Sequence, residues 1–275
     1  MKIGFIDYYL DEYHANHYPE WIKNAADESC AFYAWAQIDS PKGGLTTDKW
    51  CEKYGAIRCD TIEDVCKICD FLIILSPDNP ENHLDYAKIV FPFSKPVFMD
   101  KTFAPDFHTA LEIIELAGRC GTPLFSSSSL RFCSEFDGIN RADGAVAFGA
   151  GHNFEIEVIH PIEICARLMG CGAVKLETFG DKSRFIAHVI YSDGRKADIF
   201  YCQGCKGIGY GAVVENGDTR ELIQAKSDFF QLLTNAMLKF FKSKVPPVSH
   251  EGILEGIKIR DGIIRSLEKG GAVEL

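Results

Sequence analysis

The residue types best suited to chemistry in this 275-residue chain are few and widely spaced. Lys101 follows an apolar run in VFMDKTF, which puts an ammonium at the carboxyl end of a strand. An ammonium there orients a hydroxyl group, or shares its proton once desolvation lowers its pKa. A surface lysine closing a strand end is the plainer role for the same residue. His160, in FEIEVIHPIEICARLMG, precedes a helical run, with Glu163 three residues on and Gly170 near its end. Imidazole titrates near neutral pH and so suits a proton relay, although a histidine at a helix N-terminus equally serves as a structural hydrogen-bonding group. Arg131, in SLRF, offers paired donors to hydroxyls or a carboxylate, or else a salt bridge between domains.

Eleven cysteines include two CxxC pairs, Cys66/Cys69 and Cys202/Cys205. Four thiolates on exposed turns would bind zinc. The first pair lies inside TIEDVCKICDFLIIL, which reads as a helix running into a buried strand, so core thiols are expected and no metal site is assigned. Without an export signal the thiols are expected to stay reduced, free of disulfides.

The elements that must carry these groups change character midway. Short apolar strands are expected at 3–6, 31–38, 71–75, 97–99 and 124–126, alternating with helices at 17–26, 46–54, 62–67, 82–90 and 105–120. Such alternation builds a parallel sheet with right-handed crossovers, and ligands of such sheets sit beyond the carboxyl ends of the strands. Past residue 129, GAVAFGAG, GAVKLETFGD, SRFIAHVIYSDG and RKADIFYCQG read as strands joined by Gly and Asp turns, with a helix at 161–169. Asp193-Gly194 supplies the positive φ of a tight hairpin. Helices are expected at 222–242 and 252–269, separated by VPPVS, since proline ends a helix. The fold class is therefore α/β: a doubly wound parallel sheet over 1–127, then an α+β domain over 128–275 with an open, mainly antiparallel sheet.

A hydrophobic content of 47% supports real cores, and the net charge of −10 carries no basic stretch. Nucleic acid and an anionic membrane surface are thereby excluded as main partners, leaving a small molecule. No apolar run approaches the ~18 residues of a membrane span, and the chain is read as cytoplasmic.

The order of motifs resembles the Gfo/Idh/MocA family, the glucose-fructose oxidoreductases, inositol dehydrogenases and their relatives. The segment CDFLIILSPDNPENHLDYAKIVFPFSKPVFMDKTFAPDFHTALEIIELAGRCGTPLFSSSSLRF follows the family's sequence of strand, Ser/Thr-Pro loop, His-led helix, strand ending in Glu-Lys-Pro, helix, and strand ending in an arginine motif. The resemblance implies a Rossmann domain followed by a sugar-binding α+β domain that packs against another subunit. It implies an NAD- or NADP-dependent oxidoreductase acting on a sugar or polyol. Asp100-Lys101-Thr102 stands where the family has Glu-Lys-Pro, so Lys101 and His160 become the catalytic candidates, and Arg131 and Glu163 the substrate-binding ones.

For the cofactor, the resemblance points to the turn after the first strand (Asp7, Tyr8, Tyr9), to Asp39 after the second, to Ser76 and Pro77, and to Asp100. That first turn is unusual. It contains Asp7, Asp11 and Glu12, and no glycine occurs between Gly4 and Gly43. A carboxylate about 4 Å from a phosphate charge costs about 4 kcal/mol at an effective dielectric of 20, against ~0.3–1 kcal/mol of attraction from a helix terminus. If one of these acids faces the site, repulsion wins. A homologue that binds a metabolite or protein partner without nicotinamide is the competing expectation. Asp39 is open to ordinary turn chemistry, and SPDNPENH to a helix N-terminus at Asn79-Pro80.

Overall fold

The computed structural model describes residues 1–41 and 43–275. The chain divides into two compact units, Met1–Ser127 with Gln231–Ser249, and Ser128–Phe230 with His250–Leu275.

In the first unit the order is β1 (Lys2–Asp7), α1 (Tyr13–Ala25), β2 (Ala31–Ala36), α2 (Thr47–Tyr54), β3 (Ala56–Arg58), α3 (Ile62–Ile68), β4 (Phe71–Ile74), α4 (His83–Val90), β5 (Val97–Met99), α5 (Phe107–Cys120) and β6 (Leu124–Phe125). The strands form one sheet in the order β3-β2-β1-β4-β5-β6, with every pair parallel. This is the doubly wound order, whose direction of winding reverses between β1 and β4. Central strands covered on both faces read as continuous apolar runs, and Leu72–Ile74 and Val97–Met99 are fully buried. Gly4 is required by contact: a Cβ there would lie 2.3 Å from Val65 Cγ1 of α3.

In the second unit β7 (Gly144–Gly151), α6 (Phe154–Glu157), α7 (Ile159–Met169), β8 (Ala173–Asp181), β9 (Arg184–Tyr191), β10 (Lys196–Gln203), β11 (Gly211–Asn216) and β12 (Thr219–Gln224) are followed by α8 (Phe229–Ser243), α9 (His250–Lys269) and β13 (Ala272–Glu274). Most of α8 belongs to the first unit, where Phe241 stacks on Phe71 and Phe240 meets Phe125 edge-on. The second sheet runs β12-β11-β7-β10-β9-β8-β13, antiparallel except for β7 with β10. Strand β9 alternates buried with more exposed positions, and Val146, Phe179, Ile186 and Leu222 are exposed apolar residues of this sheet.

Several expected elements differ. Residues 222–224 lie in a strand, because the chain turns at Gly217-Asp218 and pairs 219–224 with β11, and the helix starts only at Phe229. Residues 154–157, between the expected strand and the expected helix, form a short helix of their own. The Asn153 side chain caps the Glu155 amide while the Glu157 carboxylate receives Asn153 N at 2.5 Å, local bonding that starts this helix. Helix α1 begins four residues earlier than expected, and β3 pairs on the edge beside β2. The expectation of no disulfide fails: Cys202 at the end of β10 is bonded to Cys205, with Cα atoms 5.8 Å apart across a turn in which Gly204 takes φ +71°. The other nine cysteines are unbridged.

Candidate functional site

The winding reversal places the ends of β1, β4 and β5 side by side in the first unit, and a polar residue stands at or just past each: Asp7, Ser76 and Asp100. Asp7 closes β1. Its Oδ1 accepts from Tyr8 N (2.7 Å), Ser76 N (2.9 Å) and Ser76 Oγ (3.3 Å). Ser76 follows β4 in the left-handed region (φ +67°), which turns its amide and hydroxyl toward β1, and Pro77 behind it is buried. The other oxygen, Oδ2, is buried and has no hydrogen-bond partner. Burial pushes the Asp7 carboxyl well above the ordinary range. The hydrogen bonds from Tyr8 and Ser76 oppose this, and the charge of Asp100 adds to it.

Glu12 is the N-cap of α1, and its carboxylate accepts from His14 N (2.7 Å) and Ala15 N. Burial, followed by the negative charge of Asp7, raises its pKa as well. The side chain of His14 points to Asp100 at the end of β5, where Nδ1 meets Oδ2, while Asp100 Oδ1 accepts from Lys101 N at 2.8 Å. Burial works against the Asp100 charge, but His14 and Lys101 outweigh it and hold the carboxyl below its usual value. Lys101 is 7% exposed and Asp100 1%, and the Lys101–Thr102 peptide is cis. The first unit therefore gathers Asp7, Glu12, His14, Ser76, Asp100 and Lys101.

The remaining expected residues have structural partners. Asp11 turns away to accept from Leu45 N (2.8 Å) and Asn16 Nδ2 (2.9 Å). Asp39 accepts from Thr47 N at 2.7 Å, fixing the start of α2. Tyr8 and Tyr9 meet edge-on, 6.0 Å between ring centres, and burial together with Asp78 and Glu12 pushes the Tyr9 phenol up to about 12. Beyond β2, a cavity of about 410 Å³ is lined by Trp35, Thr61, Ile62, Tyr86 and Ile89. Gln37, also in its wall, accepts from the Tyr86 hydroxyl at 2.8 Å.

In the second unit His160 sits in the first turn of α7, and its Nδ1 lies 2.8 Å from the Ser128 hydroxyl. Its ring meets Tyr210 edge-on. One turn later Glu163 receives Arg131 Nε at 2.6 Å, so the two expected substrate residues are paired with each other. Arg131 Nη2 also reaches the Gly252 carbonyl at 3.4 Å. Among the described residues no group of His, Cys, Asp and Glu could hold a metal ion, and no helix is long and apolar enough to cross a membrane.

Sequence reasoning missed His14 and Ser128, and, although it named Glu12 among the acids of the first turn, it missed that residue's capping role. His14 and the cap were hidden because glutamate is an uncommon N-cap, and without it α1 reads as starting later. Ser128 sits in a four-serine run that carries no periodic signal. Only its place at the start of the Ser129–Phe132 turn, where its hydroxyl caps Leu130 N, marks it.

No protein-family model and no curated protein sequence matches the chain. Solved structures do. A probable dehydrogenase from Thermotoga maritima is 14% identical over 100% of this chain and 98% of that one, with a TM-score of 0.82. The apo scyllo-inositol dehydrogenase from Lactobacillus casei is 14% identical, with coverages of 100% and 98% and a TM-score of 0.79. The biliverdin reductase from Synechocystis, solved with biliverdin and NADP+, is 15% identical, with coverages of 97% and 99% and a TM-score of 0.69. The chain thus has the fold of Gfo/Idh/MocA-type dehydrogenases, a parallel Rossmann-like sheet followed by a mixed, mostly antiparallel one.

A nicotinamide dinucleotide in such a fold rests its pyrophosphate on the amides at the N-terminus of the first helix. The residues present do not fit it. Glu12 occupies the His14 and Ala15 amides, Asn16 N is bonded to the Glu12 carbonyl, and Tyr8 N is held by Asp7 and Ser76. The donors a phosphate needs are satisfied by the chain's own oxygens, most of them acidic.

Proposed function

We propose that this chain is a Gfo/Idh/MocA-type protein that binds a small, sugar- or polyol-like metabolite at the strand ends of its first unit, with no nicotinamide dinucleotide on the β1–α1 turn. The observation that carries this reading is the Glu12 carboxylate on the first amides of α1. Displacing it removes the donors of a buried carboxyl, at roughly 1–3 kcal/mol. Lys101 donates to a ligand hydroxyl, and Asp100, kept charged by His14, accepts from one. In the second unit His160 beside Ser128, and Arg131 beside Glu163, are the candidate ligand groups. Fluorescence titration with NADH and NADPH to millimolar concentration is expected to show no saturable binding. A micromolar dissociation constant for either overturns the reading.

A second reading, an NAD(P)-dependent oxidoreductase acting on a sugar or polyol hydroxyl, is favoured by one observation, the burial of Lys101 beside the Asp100–His14 pair at the end of β5. Such a cationic group at a strand end is suited to managing a hydroxyl proton. The same titration separates the two. We further infer a homo-oligomer, with the exposed apolar residues of the second sheet covered by another copy, and a cytoplasmic setting, supported by nine unbridged cysteines.

A further inference from the structure

A cavity of about 360 Å³ opens in the second unit, between the end of β7 and the segment joining β10 to β11, and its size suits a small molecule. Gly151, His152, Glu157, Cys205, Lys206 and Tyr210 stand in its wall. One sulfur of the chain's bridge is therefore presented to the cavity. Cys202, at the end of β10, is 4% exposed, whereas Cys205, beyond the Gln203-Gly204 turn, is only half-buried. A disulfide opens when a thiolate attacks one of its sulfurs, and access decides which. Here access selects Cys205.

The bridge also holds the cavity wall in place. Gly204 N donates to Gly151 O at 2.7 Å, and the Tyr210 hydroxyl donates to Ala150 O at 2.8 Å. Between these anchors, among the described residues, no hydrogen bond or ion pair ties residues 205–209, and the Cys202–Cys205 bond is their link to β10. A Cβ at Gly204, Gly207 or Gly209 would meet nothing within 4 Å, so close packing does not hold these positions either. Glycine also makes such a segment costly to order. The other nine cysteines are unbridged, and in the cytoplasmic setting inferred above most bridges are those that open and close.

We propose that Cys202–Cys205 is a thiol–disulfide exchange site, with Cys205 as the sulfur attacked and a low-molecular-weight thiol entering the cavity as its substrate. The ligand thiolate bonds to Cys205 Sγ as the Cys202–Cys205 bond breaks, and the electron pair leaves on Cys202 Sγ, which takes up a proton. A second ligand thiolate attacks the ligand sulfur of this mixed disulfide and releases Cys205 as a thiolate, which is protonated in turn. The protein disulfide is reduced to a dithiol, and the ligand thiols are oxidised to their own disulfide. Opening releases residues 205–209 up to Tyr210, whose ring meets that of His160 edge-on at 5.5 Å. The redox state of the pair thus sets the shape of a cavity beside a candidate ligand group.

Glutathione serves as the probe on the intact protein, with rapid alkylation, peptide mass spectrometry and limited trypsin digestion as readouts. Reduced glutathione is expected to open the bridge in the folded protein, and oxidised glutathione to close it again. Cys202→Ser is expected to acquire glutathione on Cys205, and Cys205→Ser to acquire it on the buried Cys202 on the order of 10-fold more slowly. Trypsin is expected to cut after Lys206 on the order of 10-fold faster in the reduced protein than in the oxidised one. Cys205→Ser is expected to be cut at the fast rate with or without reductant. An adduct that favours Cys202, cleavage at Lys206 unchanged by reduction, a bridge that excess glutathione leaves closed in the folded protein, or a dithiol that oxidised glutathione fails to close overturns the proposal.

Discussion

Asp7 and Glu12 are acids stored in an interior, and that makes their protonation part of the stability of the fold. Burial holds both carboxyls protonated to higher pH in the folded chain than in the unfolded one. Their contribution is therefore complete below the ordinary carboxyl value of about 4, and is lost as pH rises through their raised values. The melting temperature of Asp7→Asn minus that of the parent is expected to increase with pH from about 4 upward. Thermal melts across that range check it, and a difference that shrinks with pH counts against a buried neutral Asp7. Glu12→Ala removes the cap of two α1 amides and is expected to cost about 1 kcal/mol, whereas Glu12→Gln keeps most of it. These roles were only half legible. The crowding of acids after β1 and the absence of glycine announced that a phosphate cradle was missing. Which acid would turn inward was undecided by the sequence, and Asp11, two residues after Tyr9, turns away to Leu45 and Asn16.

At the scale of elements, local chemistry decided where secondary structure begins and contact decided what could occupy it. Gly4 lies in β1 under α3, and Gly4→Ala is expected to destabilise by about 1–3 kcal/mol, because its Cβ meets a branched side chain within a packed layer. Chemical denaturation of the variant measures this directly, and an unchanged midpoint would show that α3 yields without cost. The Cys202–Cys205 bridge makes a countable prediction. Alkylation of denatured protein without reductant is expected to modify nine cysteines, and with reductant all eleven. Alternating strands and helices in the first half were readable because each buried strand is a short apolar run between turn residues. The hairpin of β11 and β12 was not, since 222–242 carries helical spacing at its start and only pairing with β11 claims 222–224 for the sheet.

For the whole molecule, an antiparallel sheet can leave one face to solvent, but a face with Val146, Phe179, Ile186 and Leu222 exposed is more apolar than solvent exposure favours. Ile186→Lys is expected to shift the protein toward monomer in size-exclusion chromatography with light scattering, with little change in melting temperature beyond that due to dissociation. A monomeric parent protein would remove the oligomer from the account. The sequence by itself determined the class of fold, because hydrophobic periodicity and turn residues act within a few positions of one another. It also determined that a dinucleotide would meet acids instead of glycines. Only the tertiary structure decided that His14 pairs with Asp100 across 86 residues, that Ser128 meets His160, and that Gln231–Ser249 joins the first unit. Such contacts depend on which strand lies beside which, and that order is settled by packing the whole sheet, far beyond the reach of any local pattern.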